Sequence, residues 1–100
     1  MSEYRLSALA ELDLEDISDY TTDVWGQRQA VAYLESLVEC FIRIAEMPNL
    51  GRPCGAVRPG FRRVEEGKHV VFYKPLKNGV VISRILHQGM IPARHQLVEG

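Results

Sequence analysis

The chain has 100 residues, enough for one domain with a modest core and no room for a second. Apolar residues make up 46%, which excludes a disordered chain, and no apolar run approaches the roughly 20 residues of a membrane-spanning helix. The net charge of −1 hides an uneven spread. Residues 1–50 carry three Lys and Arg against ten Asp and Glu, a net of −7, whereas residues 51–100 carry nine against three, a net of +6. An acidic half followed by a basic half implies a surface for a charged partner.

The opening Met-Ser-Glu-Tyr-Arg lacks the basic-then-apolar layout of a secretion signal, so a cytoplasmic chain is expected. The two cysteines, Cys40 and Cys54, are spaced neither as a disulfide framework nor as a zinc site. One falls on a predicted helix and the other between Pro53 and Gly55, so both read as unpaired, unreactive thiols.

Tyr4-Arg5-Leu6-Ser7 predicts a short opening strand with Tyr4 and Leu6 turned inward. Ser7 suits the N-cap of a first helix, and Glu11, Asp13, Glu15 and Asp16 favour the positive end of its dipole. Ala10, Leu14, Ile17, Thr21 and Val24 recur at helical spacing, with carboxylates opposite. Gly26 stops this helix. A second begins at once, its stripe of Ala30, Leu34, Leu37, Phe41, Ile44 and Ala45 widened by Tyr33 and Val38, and Pro48 ends it. The two make a helical hairpin over residues 8–47.

Residues 47–60 hold three prolines (48, 53, 59) and three glycines (51, 55, 60), the composition of a crossing loop. Strands are then predicted over 61–65, 69–74 and 80–86, within a meander spanning 61–88, followed by a tail over 89–100. Asn78-Gly79 signals a tight turn, because both positions tolerate positive φ. A two-residue loop there pairs Lys77 with Val80, and it sets Phe72 opposite Ile85, Tyr73 opposite Arg84 and Val70 opposite His87. Val70, Phe72, Val81 and Ile85 then share one face, and Val71, Tyr73, Ile82 and Leu86 the other.

Both faces are apolar, and one hairpin covers one face. The other needs the tail after His87 or a partner chain, and an obligate partner is the expectation. The fold class is α+β: an N-terminal strand over 1–7, the helical hairpin, and a three-stranded antiparallel meander forming one sheet in a single domain over 1–100.

At this point the residues resemble a family. Tyr4-Arg-Leu-Ser, Asp13-Leu-Glu-Asp-Ile, Tyr20-Thr, Trp25-Gly, Pro48-x-x-Gly51-Arg52 and Arg58-Pro-Gly-Phe-Arg62 follow in order. The most specific part is Gly67-x-His69-x-x-Phe72-Tyr73, then Val81-Ile-x-Arg84-Ile-Leu-His87-Gln. Together they resemble the RelE/ParE toxin superfamily, and in detail its ParE branch. The resemblance implies the toxic half of a type II toxin–antitoxin pair, which acts on DNA gyrase and blocks replication. It also implies neutralisation by direct binding of a ParD-like antitoxin in a hetero-oligomer, with no enzymatic activity, no cofactor and no sequence-specific nucleic-acid contact. A laid-in antitoxin helix or strand would suit an apolar sheet face, and an acidic antitoxin tail would suit the basic half.

The alternatives on the same fold are a non-toxic interaction module and, as the main rival, the RelE branch, which cuts messenger RNA on the ribosome. That reaction needs a base, an acid and cations for the phosphate, and Arg62, Arg63, Arg84 and His87 lie on neighbouring strands near His69 and Glu65. Against it, Gln88-Gly89-Met90 follows the last strand where the nuclease branch commonly carries a tyrosine, and the overall charge is not basic. The plainer readings are a carbonyl-bound His87, a His69 that shapes the Gly67 turn, and Arg84 stacked on Tyr73. His69, His87 and His95 lack ligand spacing, so no metal is expected. The candidate partner contacts are therefore Arg62, Arg63, Val71, Tyr73, Ile82, Arg84, Leu86, His87, Met90 and Arg94. The last two belong to a tail that either packs back on the fold or meets the partner.

Overall fold

The computed structural model describes residues 3–90, 92 and 96–100. In chain order come β1 (Glu3–Leu6), α1 (Ala8–Trp25), α2 (Gln27–Glu46), β2 (Arg52–Pro53), β3 (Arg62–Glu66), β4 (His69–Leu76) and β5 (Gly79–His87). The five strands form one sheet in the order β1-β5-β4-β3-β2. The α+β class holds, but the sheet is mixed: β1 runs parallel to β5, and the remaining neighbours are antiparallel. A parallel pair needs a long crossover, and the hairpin supplies part of it.

Ser7 starts α1 as expected. Its Oγ accepts a hydrogen bond from the Ala10 amide at 3.0 Å and donates to the Ser83 carbonyl at 2.6 Å, tying the helix start to β5. Gly26, at φ 89°, separates the helices without a further connector. Leu37, Phe41 and Ile44 of α2 meet Ala10 and Ile17 of α1 over Val71, Tyr73, Val80, Ile82 and Ile85 of the sheet. Val24 and Val38, placed in the apolar stripes by spacing, are instead exposed. Val24 lies at the hairpin tip, where residues 22–29 are all exposed.

The β4–β5 register departs from the expected one. Leu76 pairs with Gly79, so the two-residue loop is Lys77-Asn78, and neither residue takes a positive φ. Gly79 serves a different purpose. A Cβ on it would lie 1.8 Å from the Glu3 carbonyl oxygen, so the missing side chain is what lets β1 approach β5. Further along, Phe72 pairs with Arg84 but Tyr73 pairs with Ile82, leaving Ser83 as the extra residue of a bulge. One added residue reverses the alternation beyond it. Ile85, not Leu86, therefore joins Val71, Tyr73 and Ile82 under the helices, while Leu86 joins Val70 and Phe72 on the far side.

The far face is also closed, which corrects the expectation of an uncovered sheet. Cys54 from the crossing loop, Phe61 just before β3 and Leu97 from the tail pack on Val70, Phe72 and Leu86, and Leu97 is fully buried. The tail is fastened by polar contacts at several points. The Val98 amide donates to Ser83 Oγ at 2.7 Å, the Arg5 guanidinium to the Glu99 carbonyl at 2.7 Å, and the Ala8 amide to the Gly100 carbonyl at 3.0 Å. Lys74 and Glu99 form an ion pair at 3.0 Å, and Arg58 donates to the Leu97 carbonyl. Both thiols are free and buried. Among the described residues, no helix is long and apolar enough to cross a membrane.

Candidate functional site

Beyond the helices' cover, on the side of the sheet that they occupy, a groove of about 750 Å³ opens between the hairpin, the β3–β4 turn and the end of β5. Ile17, Tyr20 and Trp25 of α1 form one wall, Tyr33 of α2 the floor near the turn, and Ile85, His87 and Met90 the other wall. Tyr20, Trp25 and Met90 are more than half exposed, a concentration of large apolar side chains in open contact with solvent.

Polar groups are fixed at the base of this groove. Arg84 donates from Nε and Nη2 to the two carboxylate oxygens of Asp13, at 2.8 and 3.0 Å, and the Ile85 amide donates to the same carboxylate at 2.9 Å. The Asp13 carboxylate raises the Arg84 pKa above its ordinary value, chiefly through that hydrogen bond. The expected stacking of Arg84 on Tyr73 is therefore replaced by a two-point ion pair, because the register sets Arg84 against Phe72 and α1 brings Asp13 within reach.

Tyr33 and the two histidines lie beside this pair. Tyr33 Oη lies 2.6 Å from His69 Nδ1, accepts from the Lys68 amide at 3.0 Å and contacts the Glu66 carbonyl at 3.4 Å, so Tyr33 rather than His69 braces the turn at Gly67. Burial first, and then the neighbouring His87, hold His69 below the ordinary imidazole range, with Asp13 pulling the other way. Burial raises the Tyr33 hydroxyl in turn. His87 is exposed, and its Nδ1 meets the Gln88 carbonyl at 2.9 Å.

The groove gathers four of the sequence candidates: Arg84, Leu86, His87 and Met90. Val71, Tyr73 and Ile82 are fully buried under the helices and Leu86 is 5% exposed on the far face, so none of the four presents an open sheet face to a partner. Tyr73 has a bracing role, accepting from the Gly51 amide at 2.8 Å and donating to the Pro48 carbonyl at 2.7 Å. Arg62 holds the same loop through the Gly51 carbonyl at 2.7 Å, and Arg63 lies over the Phe72 ring at 5.6 Å. Arg94 lies outside the described residues. Asp13, Tyr20, Trp25 and Tyr33 are among the groove residues outside the contacts expected from the sequence. A carboxylate at Asp13, one turn before Ile17 and two before the buried Thr21, was the available signal.

A strand, a helical hairpin and a meander in one sheet, as found here, define a known class of small α+β domain. The solved structure titled "Chromosomal ParDE TA system from P. aeruginosa" shares that fold, with a TM-score of 0.73 over 87% of this chain and 96% of that one at 21% identity. A family model described as "ParE toxin of type II toxin-antitoxin system, parDE" matches residues 4–92. Toxin ParE1 of Caulobacter vibrioides is 43% identical over 95 residues, covering 95% of this chain and 98% of that protein. Toxin ParE1 of Mycobacterium tuberculosis is 42% identical over 90 residues, covering 89% and 92%. The chain belongs to the ParE toxin family of type II toxin–antitoxin systems.

Proposed function

We propose that this toxin acts in the cytoplasm by binding DNA gyrase, trapping it on cleaved DNA and blocking replication, and that a ParD-like antitoxin silences it by direct binding. The reading rests on family membership over residues 4–92, and the commitment of Arg84 to Asp13 supports a role without catalysis. An RNA-cutting site needs a free cation to hold the scissile phosphate. Here the arginine best placed at the groove spends both of its forward-facing donors on a carboxylate. The groove, with Tyr20, Trp25 and Met90 exposed around it, suits contact with protein better than contact with a polyanion.

The test sets purified toxin against gyrase supercoiling and DNA-cleavage reactions, and in parallel against translating ribosomes with message cleavage mapped. Loss of supercoiling with accumulation of cleaved DNA is expected, reversed by the antitoxin. Message cleavage with unaffected gyrase would overturn the proposal in favour of the RelE-type reaction.

A further inference from the structure

The strand register brings together two histidines that lie 18 positions apart in the chain and have no ligand spacing along it. His69 and His87 are direct cross-strand partners at the ends of β4 and β5. Their rings stand edge to face with centroids 5.6 Å apart. An imidazole bound through Nε2 places its centroid about 3.1 Å from a metal, given a bond of about 2.0–2.1 Å. Two such rings on one ion are therefore about 5 Å apart at a tetrahedral angle, close to the separation of this pair.

The hydrogen bonds already leave the right nitrogens free. His87 Nδ1 is 2.9 Å from the Gln88 carbonyl, which can only accept, so Nδ1 carries the proton and Nε2 the lone pair. His69 Nδ1 is engaged by Tyr33 Oη at 2.6 Å, which leaves its Nε2 available as well. With a metal on that Nε2, Nδ1–H donates to Tyr33 Oη, and the Tyr33 proton turns to the Glu66 carbonyl. Such outer hydrogen bonds are what orient metal-bound imidazoles.

From this geometry we infer that His69 and His87 form a two-imidazole site for a late first-row divalent metal ion, Cu²⁺, Ni²⁺ or Zn²⁺, at the rim of the groove. Among the described residues no third His, Cys, Asp or Glu completes a cluster, so groove solvent fills the other coordination positions. Asp13 is nearby but is held by Arg84. A bound ion would staple the ends of β4 and β5, and it would stabilise the fold in proportion to its affinity.

The experiment titrates CuCl₂, NiCl₂ and ZnCl₂ into the chelator-stripped full chain, reading thermal midpoint and bound stoichiometry. A saturable upward shift at one ion per chain is expected, strongest with Cu²⁺. His87→Gln alters an exposed side chain, so the variant should fold, and the shift should vanish. His95→Gln should leave it intact. Tyr33→Phe should weaken apparent affinity by about tenfold. No saturable shift in the parent chain, a shift that survives His87→Gln, or one abolished by His95→Gln alone would each overturn the assignment.

Discussion

Asp13 joins the first helix to the sheet at the base of the groove. Its carboxylate takes two bonds from Arg84 and one from the Ile85 amide, and the side chains of the pair are only 12% and 15% exposed. Removing one partner strands the other in a poorly solvated place. Asp13→Ala should therefore lower the unfolding free energy by about 2–4 kcal/mol, and the Asp13→Ala/Arg84→Ala double variant should lose less than the sum. Denaturant titration of the four-member cycle measures that coupling, and purely additive losses would contradict it. His69 supplies a pH signature of opposite character. In the folded chain it binds a proton less readily than in the unfolded chain, so its stabilising share is complete above about pH 6.5 and fades as pH falls through the folded value. The charged or titratable groups around it are His87, Tyr33, Lys68, Glu66 and the Asp13–Arg84 pair. In metal-free buffer the thermal midpoint should drop below pH 6.5, and His69→Gln should flatten that slope. An unchanged slope would mean that another group carries it.

Among the elements, the last residues of the chain tie several parts of the fold together. Leu97 is fully buried against Phe61, Phe72 and their neighbours, and the residues after it bond to β1, α1 and the bulge at Ser83. Leu97→Ala should cost about 2–5 kcal/mol, and removal of residues 96–100 should cost more, with the exposed Val70, Phe72 and Leu86 binding a hydrophobic dye. A truncated chain as stable as the parent, and with no gain in dye binding, would refute this. The element pattern explains which parts of the fold were legible beforehand. Ser7, Gly26 and Pro48 are local signals whose chemistry acts on the next few residues, so the helical hairpin could be read from them. The parallel placement of β1, the use of Gly79 to admit it, and the bulge at Ser83 depend on residues more than 70 positions away, such as Glu3 and Ser7. A one-residue slip in register flips a strand's faces, so the same lack of long-range information also exchanged Ile85 with Leu86 and left the tail's covering role open. The groove suffered likewise: Arg84 and His69 were legible as basic residues on strands, whereas Asp13 and Tyr33 become their partners only once the hairpin is laid on the sheet.

At the scale of the whole molecule, folding preserves a charge separation that a net of −1 conceals. Some of the imbalance is neutralised internally, since Asp13 of the acidic half binds Arg84 of the basic half. The remainder is sorted in space. Glu11, Glu15, Asp16, Asp19 and Asp23 stay exposed along α1, which packs near β5, whereas Arg52, Arg58, Arg62 and Arg63 cluster at β2, β3 and the adjoining loop, on the opposite edge of the sheet. A molecule of this kind is steered by its dipole and not by its total charge. Approach of a ParD-like antitoxin with an acidic tail would then be guided toward the arginine edge, a long-range effect that salt screens beyond about 10 Å at 0.1 M. Stopped-flow association between 50 mM and 500 mM salt should therefore show the on-rate falling by about tenfold with little change in the off-rate. Arg52→Glu should reproduce much of that fall at low salt, because Arg52 is well exposed and its ion pair with Glu65 is a solvent-screened surface contact. An on-rate indifferent to salt and to Arg52→Glu would mean that the apolar groove alone governs encounter, and that the two-signed sequence has no part in bringing the proteins together.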